Sequence, residues 1–163
     1  MKVGLLSDTH GFFDDKLMRF FNDVDELWHA GDIGNIETAD KIAAFKPLRS
    51  VHGNIDGANV RIVYPRIQIF TCAGMNVFMV HIGGYPGRYE NGILNELKEA
   101  KPQLFISGHS HILKVIYDKK NDWLHMNPGA AGISGFHQVR TAIRFTIENG
   151  EIKDLEIGEW KRN

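Results

Sequence analysis

The sequence predicts an α/β protein in which mixed β-sheets pack together with helices outside. Two observations predict it. Short apolar runs alternate with helix-spaced segments over the first third of the chain, and closely spaced β-rich runs separated by turn residues fill the last third. A β-α-β-α-β opening gives parallel strands joined by crossovers, whereas hairpins give antiparallel pairs. A chain that starts in the first way and finishes in the second implies mixed sheets.

The elements follow in order. Residues 3–7 are a short apolar run stopped by a polar turn, the pattern of a buried strand. Leu17, Phe20, Phe21 and Val24 recur at helical spacing, which predicts a helix over 14–23 with Asp14 or Asp15 near its N-cap. A second strand spans 26–30, a second helix 36–45, stopping before Pro47, and a third strand 48–52. Residues 67–71 and 76–81 are β-rich and joined by Cys72-Ala73-Gly74-Met75 at hairpin spacing. A helix over 93–101 is ended by Pro102, and 104–107 is another buried strand. Runs 113–117, 123–126, 141–147 and 152–157 complete the strands, with turns at Asn121-Asp122 and Asn149-Gly150. No linker, repeat or low-complexity stretch interrupts them, so residues 1–163 read as one domain.

Composition sets the class. A chain of 163 residues, 43% hydrophobic and 24% charged, has the makings of a soluble domain with a substantial core. A net charge of -1 without a dense Lys/Arg run gives no nucleic-acid signal. The single Cys72 excludes an internal disulfide and fits a reducing compartment. The apolar start is cut off by Asp8, too early for a signal peptide, and no stretch approaches the roughly 20 apolar residues of a spanning helix. A cytoplasmic protein without membrane association is expected, with a homo-oligomer left open.

Five polar clusters carry the chemistry: Asp8-Thr9-His10, Gly31-Asp32, Gly53-Asn54, His81 and Gly108-His109-Ser110-His111. Each lies at the end of an apolar run. They supply anionic oxygens, a neutral carbonyl oxygen and imidazole nitrogens, all donors to divalent metals. In open α/β sheets, ligands gather beyond the carboxyl ends of strands, so residues far apart in sequence can meet there. Singly, a buried His is usually a hydrogen-bonded core residue, and an Asp or Asn after a strand is turn chemistry. Seven coordinating side chains in this order point instead to a two-metal hydrolytic centre. Two cations about 3.5–4 Å apart activate a water and stabilise the attacking and leaving oxygens of a phosphate ester. Their field also draws in an anionic substrate.

The order D-x-H, G-D, G-N, H, G-H-x-H resembles the calcineurin-like metallophosphoesterase superfamily, from residue 3 to 111 and on through Asn127-Pro128-Gly129. Chain size, the lack of a cap domain and the Asn-Pro-Gly segment point to its small single-domain bacterial and archaeal phosphodiesterase branch. The resemblance implies a four-layer α/β/β/α sandwich of two mixed sheets flanked by helices. It also implies hydrolysis of a small-molecule phosphodiester by a two-metal-activated hydroxide. Asp8, His10 and His111 would hold one metal, Asp32 would bridge, and Asn54, His81 and His109 would complete the second. Asp32, Asn54 and His81 would also position phosphate and hydroxide. The cofactors implied are two divalent ions, Mn²⁺ foremost, with Fe, Zn²⁺, Ni²⁺ or Co²⁺ compatible with the donors.

The departures matter. Much of the superfamily has His after Gly-Asn, thought to protonate the leaving oxygen, followed by an acidic residue. Here the segment is Gly53-Asn54-Ile55-Asp56, a gap that fits the small branch, and Asp56 is expected to orient an imidazole installed at position 55. His81-Ile82-Gly83-Gly84 stands where relatives often show His-Gly-His. The following loop, 83–90, reads in two ways. It is either a glycine-hinged substrate loop, with Arg88 clamping a phosphate and Tyr85 or Tyr89 stacking on an aryl group, or an ordinary solvated loop. Arg140 is a weaker second phosphate candidate. His29 and His52 read as satisfied core histidines, with support behind the ligands that follow them as the alternative, Cys72 as a small filler, and Asn127-Pro128-Gly129-Ala130 as a structural turn near the pocket. No role falls to His125 or His137. The alternatives are a metal-free scaffold of the same fold, and a nuclease or protein phosphatase of the superfamily. The latter usually carry extra domains and the His absent here.

Overall fold

The computed structural model describes residues 1–162. The chain opens with strand β1 (Lys2–Leu6), helix α1 (Asp15–Phe20), strand β2 (Glu26–His29), helix α2 (Ile36–Phe45) and strand β3 (Leu48–Ser50). A short helix, α3 (Ala58–Val63), leads to the hairpin β4 (Ile67–Cys72) and β5 (Met75–Val80) and a smaller one, β6 (Gly84–Tyr85) and β7 (Arg88–Tyr89). Helix α4 (Ile93–Ala100) and strand β8 (Leu104–Ile106) follow. The antiparallel pairs β9 (Leu113–Asp118) with β10 (Trp123–Pro128) and β11 (Val139–Glu148) with β12 (Glu151–Lys161) complete the chain.

Two five-stranded mixed sheets result. The first has the order β12-β11-β1-β2-β3, with β1, β2 and β3 parallel and β11 antiparallel to both its neighbours. The second has the order β4-β5-β8-β10-β9, with β5, β8 and β10 parallel and an antiparallel strand at each edge. Strand alternation sorts the side chains. Val3 and Leu5 face the second sheet and pack with Met79, Ile106 and Met126, whereas Leu6 faces outward onto Leu17 and Ile42 of the first two helices. Gly4 shares that outer face, where an added Cβ would lie 2.5 Å from the Phe21 ring. On the far side, Phe78, Phe105 and Trp123 pack against Ile93 and Leu97 of α4. The layers run helix, sheet, sheet, helix, as the resemblance implied. Each fully buried Leu or Phe in them contributes roughly 1.5–3 kcal/mol over an exposed one. No helix among the described residues is long and apolar enough to cross a membrane.

Several elements differ from expectation. The apolar spacing of Leu17, Phe21 and Val24 marks a buried face, but α1 ends at Phe20 and the chain turns through 21–23 before β2. Helix α3 gave no sequence signal because it is barely amphipathic: Val60 is buried while Ile62 and Val63 are exposed. The 83–90 segment is more ordered than an irregular loop: β6 and β7 pair within it, and Tyr89 bonds to Asp118 and accepts from the Trp123 indole N–H at 2.9 Å. Asn127 and Pro128 are not a turn but the end of β10, paired with Lys114 and Leu113. The Asn149-Gly150 turn is as expected, both residues having the positive φ of a two-residue hairpin, 51° and 77°.

Arg140 is not a substrate residue. It is 2% exposed, its guanidinium donates to both carboxylate oxygens of Asp14 at 3.0 Å, and its Nε donates to the Ala131 carbonyl at 2.7 Å. Asp14 also caps α1 by accepting from the Leu17 amide, so one carboxylate ties the first helix to β11. Burial would raise the Asp14 pKa, but the Arg140 hydrogen bonds prevail and hold it below its ordinary value. Asp14→Ala leaves a buried cation unpaired and removes a cap. It is expected to cost about 3–5 kcal/mol in urea unfolding, and a loss under about 1 kcal/mol would show that the pair is not structural.

Candidate metal centre

The loops after β1, β2, β3, β5 and β8 all leave the carboxyl ends of parallel strands, so both sheets deliver their polar clusters to one edge. Five of the seven candidate residues turn there in the left-handed region: Asp8 (φ 54°), His10 (46°), Asp32 (56°), His109 (70°) and His111 (60°). That conformation is uncommon for residues with a Cβ, and it clusters at functional sites. Backbone bonds knit the loops to one another: Asp8 N–H donates to Gly31 O (3.0 Å), His10 N–H to Asp32 O (3.0 Å) and Gly108 N–H to His81 O (2.9 Å). Gly31, at φ 97°, lies so close to His81 that a Cβ would sit 2.7 Å from the ring, and a Cβ on Gly53 would strike the Asp32 carboxylate.

Two side chains outside the candidate set fasten these loops. The buried Asp56 carboxylate accepts from the amides of Gly53 (2.8 Å), Ile33 (3.2 Å) and Gly34 (2.8 Å), joining the third cluster to the second. Its hydrogen bonds in the native chain are thus all to backbone amides. Ile55 is exposed, and its amide donates to Asp32 Oδ1 at 3.0 Å. His29 fastens the first two loops. Its Nδ1 accepts from Gly31 N–H (3.1 Å), so Nε2 carries the proton and donates to Thr9 Oγ1 (2.9 Å), which donates on to Ile33 O (2.9 Å). His29 is thus the satisfied core histidine that the sequence suggested.

The six Asp and His candidates fall into two groups. Ligand atoms of Asp8, His10 and His111 lie within 4.8 Å of one another, as do those of Asp32, His81 and His109. Asp8 Oδ1 is 3.2 Å from His111 Nε2, 3.7 Å from His10 Nε2 and 3.8 Å from His81 Nε2. Asp32 Oδ2 is 3.2 Å from His81 Nε2 and 3.6 Å from His10 Nε2, so the two carboxylates share two imidazoles. Donors at about 2.0–2.2 Å from a tetrahedral metal stand roughly 3.3–3.6 Å apart, close to these spacings. Asp8 Oδ1, His10 Nε2 and His81 Nε2 are buried without any hydrogen-bond partner. Asp8 Oδ2, by contrast, accepts from Ser7 Oγ (2.7 Å) and the His109 amide (3.1 Å), which leaves the other oxygen aimed at the imidazoles.

Second-layer bonds set the tautomers. His81 Nδ1 is 2.7 Å from the Ala30 carbonyl, which can only accept, so Nδ1 carries the proton and Nε2 offers its lone pair to the centre. His137 does the same for His111 at one remove. His137 Nε2 donates to Gly132 O (2.8 Å), so its Nδ1 accepts from His111 Nδ1–H (3.2 Å) and the His111 Nε2 lone pair faces Asp8. The sequence assigned His137 no role, and no spacing could have found it, because it sits on an irregular loop far from His111. Asn54 is exposed and lines, with His81, a cleft of about 330 Å³. Tyr85 and Arg88 belong to neither metal-ligand group; they wall a second cleft, of about 350 Å³, bordered by His109.

The electrostatics match the geometry. Burial would raise the Asp8 pKa, but His10, His111 and His81 together hold it well below the ordinary carboxylate range. Asp32 is lowered against burial by His81 and the Ile55 amide. The Asp8 carboxylate raises His10, and Asp32 and Asp8 raise His81 despite its burial. Positive charge between the two carboxylates is thus favoured.

A chain with this fold and this edge has known relatives. The calcineurin-like phosphoesterase superfamily domain matches residues 1–150, and the chain belongs to that superfamily. A protein described as a probable metallophosphoesterase from Methanothermobacter thermautotrophicus is 27% identical over 139 residues, 80% of this chain and 77% of the relative. A conserved predicted phosphoesterase from Streptococcus pneumoniae superposes with a TM-score of 0.69 at 20% identity, covering 99% of this chain and 89% of that one. Vps29 from Entamoeba histolytica, in complex with Zn²⁺, superposes with a TM-score of 0.75 at 15% identity over the whole of both chains.

Burial pushes the His29 pKa down to about 4, below the roughly 6.5 of an unfolded histidine. The unfolded chain therefore binds more protons in that window, and stability attributable to His29 is lost as pH falls from about 6.5 toward 4. Imidazole ¹⁵N NMR of the metal-free protein should find His29 neutral at pH 5.5 while His10 and His81 remain protonated above their ordinary value. A His29 that titrates near 6.5 would contradict its buried, bridging position.

Proposed function

We propose that this protein is a metal-dependent phosphodiesterase for small phosphodiesters, with a dinuclear centre held by Asp8, His10, Asp32, Asn54, His81, His109 and His111. The observation that carries the reading is the set of three partnerless buried atoms, Asp8 Oδ1, His10 Nε2 and His81 Nε2, gathered between two carboxylates. Leaving each unsatisfied costs about 1–3 kcal/mol, which weighs against a permanently metal-free scaffold. His10, His81 and Asp32 lie between the two groups, the place for a shared ligand, and Asp32 is the one fastened to the third loop. Mn²⁺ suits these mixed nitrogen and oxygen donors.

When bound, divalent cations here supply Lewis acidity, acidifying a water and neutralising charge on phosphoryl oxygens. The chain does the rest. The Ala30 carbonyl and His137 keep the His81 and His111 lone pairs aimed inward, so no reorientation is needed when ligands arrive. The Asp8 and Asp32 carboxylates raise the pKa of His10 and His81, so metal binding there is expected to compete with protons. The two clefts flank the centre and meet at Ile82 and Glu90, one beside His109 and the other beside His81 and Asn54. Room on both sides suits a phosphate with two organic arms and supports a diester over a monoester. Ile55 offers no proton to a departing alkoxide.

Hydrolysis of an aryl phosphodiester is expected to stop in EDTA and return with Mn²⁺. Asp32→Asn should fall to background with its circular dichroism spectrum unchanged. Metal-independent turnover, or near wild-type turnover by Asp32→Asn, would refute the dinuclear reading. Absence of an acid at position 55 predicts a steep dependence on leaving group. Since general acid catalysis is worth roughly 10²–10⁴-fold, alkyl diesters should lag aryl ones by about that factor more than they would in an enzyme that supplies an acid. A diester series of graded leaving-group pKa measures it, and a flat plot would mean that another residue donates the proton.

A further inference from the structure

The two clefts beside the centre differ in what their charges are doing. In the His81 side, the cations are committed: Arg66 pairs with Glu96 at 3.1 Å, and Arg61 donates to the carbonyls of Asp56, Gly53 and Asn54. In the His109 side, among the described residues, neither Arg88 nor Lys114 has a carboxylate partner. Lys114 rests over the Tyr85 ring, its ammonium 3.5 Å from the centroid, and Arg88 is exposed on β7. Glu90, on the ridge between the clefts, is the only carboxylate of the lining, so the cleft carries a net positive charge.

The wall toward the second sheet holds a further oddity. His125 is fully buried on β10 and lines this cleft. Its Nδ1 lies 3.2 Å from the Phe105 carbonyl, which can only accept, so Nδ1 is protonated and Nε2 is a bare acceptor. That Nε2 is the one buried side-chain atom outside the metal centre, among the described residues, without a hydrogen-bond partner. Burial lowers the ring's pKa to about 4, so it remains a neutral acceptor at neutral pH. Its neighbour Asn127 is already used: it donates to Gly108 O (2.9 Å) and Ser110 Oγ (3.1 Å) and accepts from Gly129 N–H (3.0 Å). A bare acceptor with two unpaired cations nearby asks for a ligand with a donor and a negative charge.

We propose that the His109-side cleft binds one arm of the diester, and that this arm is hydroxylated and carries its own anionic group, as in a sugar or nucleoside phosphate. The hydroxyl donates to His125 Nε2 and the anion meets Arg88 and Lys114, while the scissile phosphate sits at the metal centre. The inference rests on the phosphodiesterase reading and deepens it. It also explains how the 83–90 segment serves: the Tyr89 anchor holds β6 and β7 firmly, which keeps Tyr85 and Arg88 in place as a wall.

Calorimetric titration of the Mn²⁺-loaded full chain tests it without turnover. The probes are inorganic phosphate, ethyl phosphate, fructose 1,6-bisphosphate and adenosine 3′,5′-bisphosphate, the last two distinguishing a sugar from a nucleoside source. At least one bisphosphate should bind about tenfold or more tighter than ethyl phosphate, the worth of one charge-assisted hydrogen bond. Arg88→Met with Lys114→Met should abolish that margin, and His125→Phe should reduce it. Inorganic phosphate should bind all variants equally. Bisphosphates that bind no tighter than ethyl phosphate, or a margin that survives Arg88→Met with Lys114→Met, overturn the assignment. Should His125→Phe fail to fold, the double variant alone decides. Failure to bind metal or any phosphate would instead sink the phosphodiesterase reading itself.

Discussion

Asp8 and Asp32 are two buried carboxylates, from different strands, that reach toward the same pair of imidazoles. Removing a carboxylate from water costs several kcal/mol even after the protein relaxes, and a second negative charge close by adds to it. Positive charge must therefore lie between them. His10, His81 and His111 crowd that point from three loops, with ring nitrogens turned toward the carboxylate oxygens. Much of the local architecture follows from this constraint. The left-handed backbone at Asp8, His10, Asp32, His109 and His111, the close approach of Gly31 to His81 and the committed Asp56 all bring those groups together.

The fold makes the convergence possible because both sheets run their parallel strands toward one edge. Val3 and Leu5 lock β1 to the second sheet through Met79 and Ile106, so the loops after β1, β5 and β8 cannot drift apart without opening the core. The site is thereby built on rigid strand ends, with His29, Asp56 and His137 fixing loops and tautomers from behind. The two flanking clefts differ in free charge: the cations of one are paired, and Arg88 and Lys114 of the other have no carboxylate partner among the described residues.

Much of this was legible in the sequence. The helix over Ile36–Phe45 was read to the residue, with Pro47 marking where it stops, and the Asn149-Gly150 turn announced its hairpin. The metal-ligand candidates were legible because hard and borderline donors recur after buried strands, a pattern that turn chemistry alone does not explain. What escaped had no local signature. Helix α3 hides because two of its apolar residues, Ile62 and Val63, face solvent, and Arg140 looked available because its partner Asp14 is 126 positions away. His137 acts through a neighbour that only the folded chain supplies, and the Asp56 carboxylate is taken up by backbone amides of two loops. Burial patterns are local properties, whereas hydrogen-bond partners are not.

The central claim is that the positive charge between Asp8 and Asp32 is a pair of metal ions. Anomalous diffraction from a crystal grown with Mn²⁺ tests it most directly. The account predicts two anomalous peaks per chain, about 3.5–4 Å apart, one against Asp8, His10 and His111 and the other against Asn54, His81 and His109, with Asp32 touching both. A single peak, or none with the imidazoles paired directly to the carboxylates, would contradict it.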